Sequence, residues 1–172
     1  PLINPEAVDD QCDGEDQNCD GIPDEAWQDS MEPNDSWTFG DETAVNYLGE
    51  LVENQRIEFD SFLFPYGESD VFAFYCHDGP GWDFSFEISA YNVPSNQDLE
   101  MSLEYYDCQG NYVGEVDSAS SNGPGTALSI DYSGTANLPG GCGDTGWYVV
   151  TITGINSVDS CSEPYTFMIQ EK

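Results

Sequence analysis

The chain has 172 residues, 34 of them acidic and two strongly basic, for a formal charge of −32; aromatic residues make up 13%. A length of this order fits one domain with a small appendage, and the aromatic and aliphatic content suffices for a core, so the charge alone does not imply disorder. The negative field excludes nucleic acid, whose affinity comes from Lys and Arg on phosphates. It also argues against unaided docking on an anionic membrane surface, and it attracts cations or a basic partner surface; no membrane insertion is expected.

Residues 1–28 are acidic, turn-rich and poor in core residues. With Asp16 as position one of a calcium loop, Asn18 falls at three, Asp20 at five, Gly21 at six, the Ile22 carbonyl at seven and Asp24 at nine. That register wraps hard oxygens around Ca²⁺, with glycine where the backbone turns sharply. Position twelve is Trp27 rather than a bidentate Glu, so closure must come from Asp24, Glu25 or a carboxylate elsewhere. Upstream, Asp9, Gln11, Asp13 and Gly14 echo the spacing, which leaves a second or shared site open. The alternative is a solvated acidic run. The doubled Asp-Gly phasing and the flanking Cys12 and Cys19 favour metal. Pro23–Ser30 has room for one short helical turn.

From about Thr43 the pattern changes to short apolar-alternating runs. Trp82, Phe84, Phe86 and Ile88 alternate with polar residues, as do Leu99, Met101, Leu103 and Tyr105. Period-two alternation is what a strand with one buried face requires. Further strands are expected over 55–63, 70–76, 111–116, 126–132, 147–153 and 164–170, with a weaker one near 44–52. Turns are marked by Asp78–Gly81, Gln109–Asn111, Asn122–Gly125 and Pro139–Gly141. The prediction is an all-β fold: an antiparallel β-sandwich or jelly roll of about eight or nine strands over 29–172, preceded by the acidic metal-binding loop segment of 1–28. Asn34-Asp35-Ser36 matches a glycosylation sequon, although a structural Asn is the stronger reading.

Six cysteines, an even number with no Cys-x-x-Cys zinc pattern, point to three disulfides and an oxidising compartment. Cys12–Cys19, flanking the ligand run, is the favoured clamp. No leader, transmembrane run or lipidation motif is visible, as expected of a mature secreted or cell-surface form.

Two resemblances cover nearly the whole chain. Residues 5–25, with Cys12-Asp13-Gly14 and Cys19-Asp20-Gly21 ahead of Asp24-Glu25, resemble the metal-binding motif of MopE-type bacterial surface proteins. Copper is associated with the founding member of that family, but the absence of His or Met near this loop favours Ca²⁺. Residues 32–170 resemble the bacterial pre-peptidase C-terminal (PPC) domain, a secreted β-sandwich. The marks are Glu32-Pro33-Asn34-Asp35-Ser36, Leu48–Leu51, Ser69–Phe74, Asp98–Asp107 with its Gly110-Asn111 turn, Gly146–Val150 and Pro164–Phe167. Collagen-binding relatives hold calcium at the entry segment, which implies Glu32, Asn34 and Asp35 as ligands, with Asp70 or Glu68 closing the site. The alternative is an Asx-turn satisfied by its own backbone. A jelly-roll strand order would bring the end of strand 70–76 near the start of the last strand, which motivates Cys76–Cys161; Cys108–Cys142 is expected on the same strand order.

Catalysis is not expected. His77 is the only histidine and follows Cys76 at a turn; no nucleophile elbow, His-Glu-x-x-His or phosphate loop appears. Exposed aromatics such as Trp37, Tyr91 or Tyr112 suit a sugar or protein contact. The leading expectation is a secreted, non-catalytic, calcium-binding structural or adhesive module at the cell surface, extended to self-association into a homopolymer or fibre. The alternative is an accessory domain of a secreted protease that binds collagen-like or other extracellular polymer. A hydrolase using two carboxylates ranks third.

Overall fold

The computed structural model describes residue 19 and residues 31–63, 69–77, 84–134, 145–155 and 163–172, and structural statements below concern these. They form nine strands: β1 (Tyr47–Leu51), β2 (Arg56–Ser61), β3 (Ser69–Cys76), β4 (Ser85–Tyr91), β5 (Leu99–Asp107), β6 (Tyr112–Ser120), β7 (Leu128–Ser133), β8 (Gly146–Gly154) and β9 (Tyr165–Glu171). A five-stranded sheet runs β1-β3-β8-β5-β6 and a four-stranded sheet β2-β9-β4-β7. The protein is an all-β sandwich, as the alternating runs predict.

The alternation explains the layers. In β5, Leu99, Met101, Leu103 and Tyr105 are all fully buried, while Glu100 between them is exposed. Phe86 and Ile88 of β4 and Phe167 and Ile169 of β9 face them from the other sheet within one apolar cluster. Aromatic rings dominate this core, with Phe72 4.7 Å from Phe167 and Phe74 5.2 Å from Phe86. Each such ring, fully buried, contributes on the order of 1.5–3 kcal/mol.

Three expectations are corrected. The sheets are not purely antiparallel: β1 lies parallel to β3, with Tyr47 opposite Ala73 and Leu51 opposite Cys76. The chain reaches β3 through β2 in the other sheet, and that crossover returns it to the same end of the five-stranded sheet. The strand expected at 111–116 runs on to Ser120, because irregularities after Leu103 and Tyr105 let β6 keep pairing while its alternation slips. Finally, β3 is not half-buried. Phe72 and Phe74 face the core, while Val71 and Ala73 are covered on the other side by Trp37, Tyr47 and Tyr106. Residues 82 and 83, and the turn expected at 23–30, lie outside the described residues.

The register fixes two ends that matter for function. At one end Ser69 pairs with Thr153, and Asp70 with Ile152; at the other, Cys76 pairs with Gly146, which pairs in turn with Asp107. Gly146 is sterically required there, since a Cβ would run into the Tyr106 carbonyl and the Tyr105 ring.

Candidate metal centre at the strand entry

The segment ahead of β1 is laid along β3 by backbone and side-chain bonds. The Val71 amide donates to the Asn34 carbonyl at 2.8 Å, and the Ala73 amide to the Asn46 carbonyl at 3.0 Å. Asn46, itself buried, donates through its amide to the carbonyls of Val71 at 2.7 Å and Ser36 at 3.1 Å. Asn34 is thereby fixed over the start of β3 with no exposed surface. A fully buried Asn is no glycosylation acceptor, so the structural reading of the sequon stands.

Asp70, the second residue of β3, is also fully buried. An ionised carboxylate out of water needs partners or a bound cation. Its Oδ2 accepts from the Ser61 hydroxyl at 2.8 Å and from the Tyr165 hydroxyl. These donors come from the facing sheet, where Ser61 ends β2 and Tyr165 opens β9 in direct register. The outward face of the cluster is built by the entry segment. Glu32 Oε2 accepts from the Asn34 backbone amide at 3.1 Å. The end of the Asn34 side-chain amide stands 3.2 Å from Asp70 Oδ1 and 3.2 Å from Glu32 Oε1.

That arrangement has two chemical solutions. If the amide nitrogen points inward, it donates to both carboxylates while the oxygen meets donors at the other end, so both ends of the amide are satisfied and the network closes as a structural knot. If the amide oxygen points inward, it faces one oxygen of each carboxylate, an arrangement that a cation would make compatible. A neutral amide and two carboxylates form a hard-oxygen donor set that suits Ca²⁺ and offers nothing to a soft metal. Among the described residues no group of three or more His, Cys, Asp or Glu is arranged to hold a metal ion; the convergence here depends on the amide.

Of the residues singled out from sequence, the structure brings Glu32, Asn34 and Asp70 together. Asp35 is exposed and has no bond to this cluster. Asp9, Asp13, Asp16, Asn18, Asp20, Ile22, Asp24 and Glu25, with Cys12, lie outside the described residues, as does Glu68. Ser61 and Tyr165 were not anticipated. Their signal was parity, since Ser61 and Tyr165 both fall on the inward-facing positions of their strands, but the pairing that joins them to Asp70 spans up to 95 residues.

The cysteines add one link. Cys108, just past β5, is disulfide-bonded, and its partner lies outside the described residues. Cys142, the partner expected from the sequence, is among those outside the described residues. The ground for Cys76–Cys161 is reversed. The start of β3, not its end, lies beside the start of β9, as the Asp70–Tyr165 bond requires. Cys76 sits about six strand residues, or ~20 Å, further on. Cys161 itself is outside the described residues. Cys19 is exposed.

Nothing catalytic assembles among the described residues. His77 is exposed. Asp107 is the one other buried carboxylate with a dense set of donors, from the Asn111 amide at 2.8 Å, the Gln109 amide at 2.9 Å and the Asn111 side chain at 2.9 Å. These hold its carboxyl below the usual carboxylate range, the Asn111 side chain most of all. They cap the β5–β6 turn rather than face a cleft. Of the three aromatics expected at the surface, Tyr112 is 56% exposed, whereas Trp37 and Tyr91 are half-buried.

No family model matches the chain, and no curated protein does. Among solved structures, the pre-peptidase C-terminal domain of a collagenase from Bacillus anthracis is 14% identical, with 74% of this chain and 93% of that chain covered at a TM-score of 0.42. A mitogen from Yersinia pseudotuberculosis is 11% identical over 69% of this chain and 86% of its own, with a TM-score of 0.42. CorA, a surface-associated copper-binding protein important in copper acquisition by Methylomicrobium album BG8, is 9% identical over 74% and 98%, with a TM-score of 0.39. Likeness of this degree says nothing of function, which is read from the side chains of the site itself.

Proposed function

We propose that the protein is a secreted or surface-exposed, non-catalytic β-sandwich whose entry segment is locked to β3 by a calcium ion held by Glu32, Asn34 and Asp70, and that it serves as a binding or adhesive module. The observation that carries this reading is the placement of the Asn34 amide 3.2 Å from one oxygen of each carboxylate. The donor set is all oxygen, which suits a hard cation. The disulfide at Cys108 supports an oxidising compartment. No helix among the described residues is long and apolar enough to cross a membrane. The ion would neutralise two carboxylates in a chain of net charge −32 and pin residues 31–36 across the sheet. The acidic run of 9–25 is proposed as a further calcium site on its spacing alone.

A ligand bound by the folded state alone stabilises it by mass action, by about 2.7 kcal/mol at a hundredfold excess over Kd. Thermal melting in calcium against melting in EDTA therefore tests the reading. The wild-type chain is expected to lose several degrees on chelation and Asp70→Asn to show a clearly smaller difference, limited to what the 9–25 run contributes. An equal calcium shift in wild type and Asp70→Asn would place the ion elsewhere and defeat the assignment.

A further inference from the structure

The outer face of the five-stranded sheet carries a row of rings that the core does not need. Tyr75 of β3 pairs with Trp147 of β8, Trp147 with Tyr106 of β5, and Tyr106 with Tyr112 of β6, so four strands present an aromatic at one level. Trp147 is the hub. Its ring lies 5.4 Å from Trp37, 5.5 Å from Phe39, 5.4 Å from Tyr47 and 5.1 Å from Tyr75. Trp37 and Phe39, thrown across the sheet by the entry segment, cover one side of it. On the other side a groove of about 350 Å³ remains, lined by Glu42, Tyr47, Glu50, Tyr75, Cys108 and Trp147.

Aromatic faces beside unpaired carboxylates are complementary to an organic cation, because ring quadrupole and carboxylate charge act in the same sense. Glu42 and Glu50 are exposed and make no ion pair among the described residues. Their field is felt by the groove: the Tyr47 hydroxyl is pushed up by burial and then by Glu42 and Glu50, and the Tyr75 hydroxyl by burial and then by Glu50. The chain cannot supply such a cation itself. Arg56 and Lys172 are its only strong bases, and both are paired on the other sheet, Arg56 with Glu58 and Lys172 with Glu87 and Asp131.

We propose that this groove receives the ammonium or guanidinium head of a lysine or arginine side chain presented by a basic partner polypeptide, with Tyr47, Tyr75 and Trp147 as walls and Glu42 and Glu50 as counter-charges. The exposed rings of Phe39 and Tyr112 extend the contact strip for residues flanking that side chain. The proposal names the partner class of the binding module and rests on that reading, but not on the metal. Tyr75 is five strand residues from Asp70, or ~17 Å along β3.

The test is an NMR titration of the full chain, following the Trp147 indole N–H and the Tyr75 ring. The probes are N-acetylarginine amide, its uncharged isostere N-acetylcitrulline amide, and cellohexaose. Arginine amide is expected to shift both signals saturably, citrulline amide to leave them unmoved, and the Glu42→Gln/Glu50→Gln variant to bind roughly fivefold more weakly. Both glutamates are exposed, so that variant should fold. Equal shifts with citrulline amide, an unchanged affinity in the double variant, shifts spread evenly over the acidic surface, or a response to cellohexaose alone would each overturn the proposal. Repeating the titration in EDTA separates the two readings. Arginine-induced shifts that survive chelation support the groove independently of calcium, and their absence in a protein that still melts calcium-dependently overturns the groove alone.

Discussion

Asn34 decides what the buried cluster is, because its amide can present either nitrogen or oxygen to Glu32 and Asp70 with the same shape. Asn34→Asp separates the two cases. If the nitrogen donates, the substitution sets a third carboxylate against two others, and no addition of calcium restores the lost stability. If the oxygen serves a cation, the variant is destabilised by about 3–5 kcal/mol without metal, as expected for an uncompensated buried charge. It then recovers in calcium to near the wild-type melting point. Urea denaturation with and without calcium distinguishes these outcomes. Asp107 gives a second test at this scale. Its carboxyl is held below the ordinary value in the folded state, chiefly by the Asn111 side chain. A lowered folded value means the contribution is complete above about pH 4, the unfolded Asp value, and is lost as pH falls from there through the lower folded value. Amide exchange at Gln109 and Asn111 should therefore accelerate below that pH in the wild type. In Asp107→Asn it should be fast already at neutral pH and, with both profiles taken relative to the intrinsic exchange rate at each pH, flat across the range; parallel profiles for both proteins would contradict the assignment.

Among the elements, β4 and β5 were legible because polar residues separate the buried ones, as Glu100, Ser102 and Glu104 do in β5. The run 70–76 was recognised as a strand but not as one covered on both faces. Its residues are apolar without alternation, and only the position of Trp37 and Tyr47 over Val71 and Ala73 reveals the second layer. The parallel pairing of β1 was illegible for a related reason: it depends on which sheet β2 joins, and nothing within Tyr47–Leu51 records that. Three of the five residues of the candidate centre, Glu32, Asn34 and Asp70, were readable through the resemblance of the Glu32–Ser36 segment. Ser61 and Tyr165 were not, because ordinary strand residues become partners only through long-range register. Gly146 offers a check on that register. The Tyr106 carbonyl and Tyr105 ring crowd its Cα, so Gly146→Ala should cost about 1–3 kcal/mol through overpacking. It should also disturb the Tyr105 hydroxyl bond to the Thr145 carbonyl, 2.9 Å in the native chain. A neutral result in denaturant melts would mean that β5 and β8 approach less closely there than described.

For the whole molecule, a charge of −32 on 172 residues makes the folded state repel itself, and counter-ions relieve that strain. Monovalent salt should raise the melting temperature gradually through screening, over concentrations that shorten the Debye length from ~30 Å at 0.01 M to ~10 Å at 0.1 M. Calcium should act at far lower concentration and saturate, because it binds a site rather than a field. The two dose curves distinguish general screening from specific ligation, and a calcium curve that merely tracks ionic strength would reduce the centre to a hydrogen-bonded knot. The most direct measurement is anomalous scattering from crystals grown in calcium. A calcium peak is expected, bounded by Glu32 Oε1, the Asn34 side-chain oxygen and Asp70 Oδ1 at about 2.3–2.6 Å. No peak there, with the Asn34 nitrogen bonded directly to both carboxylates, would contradict it.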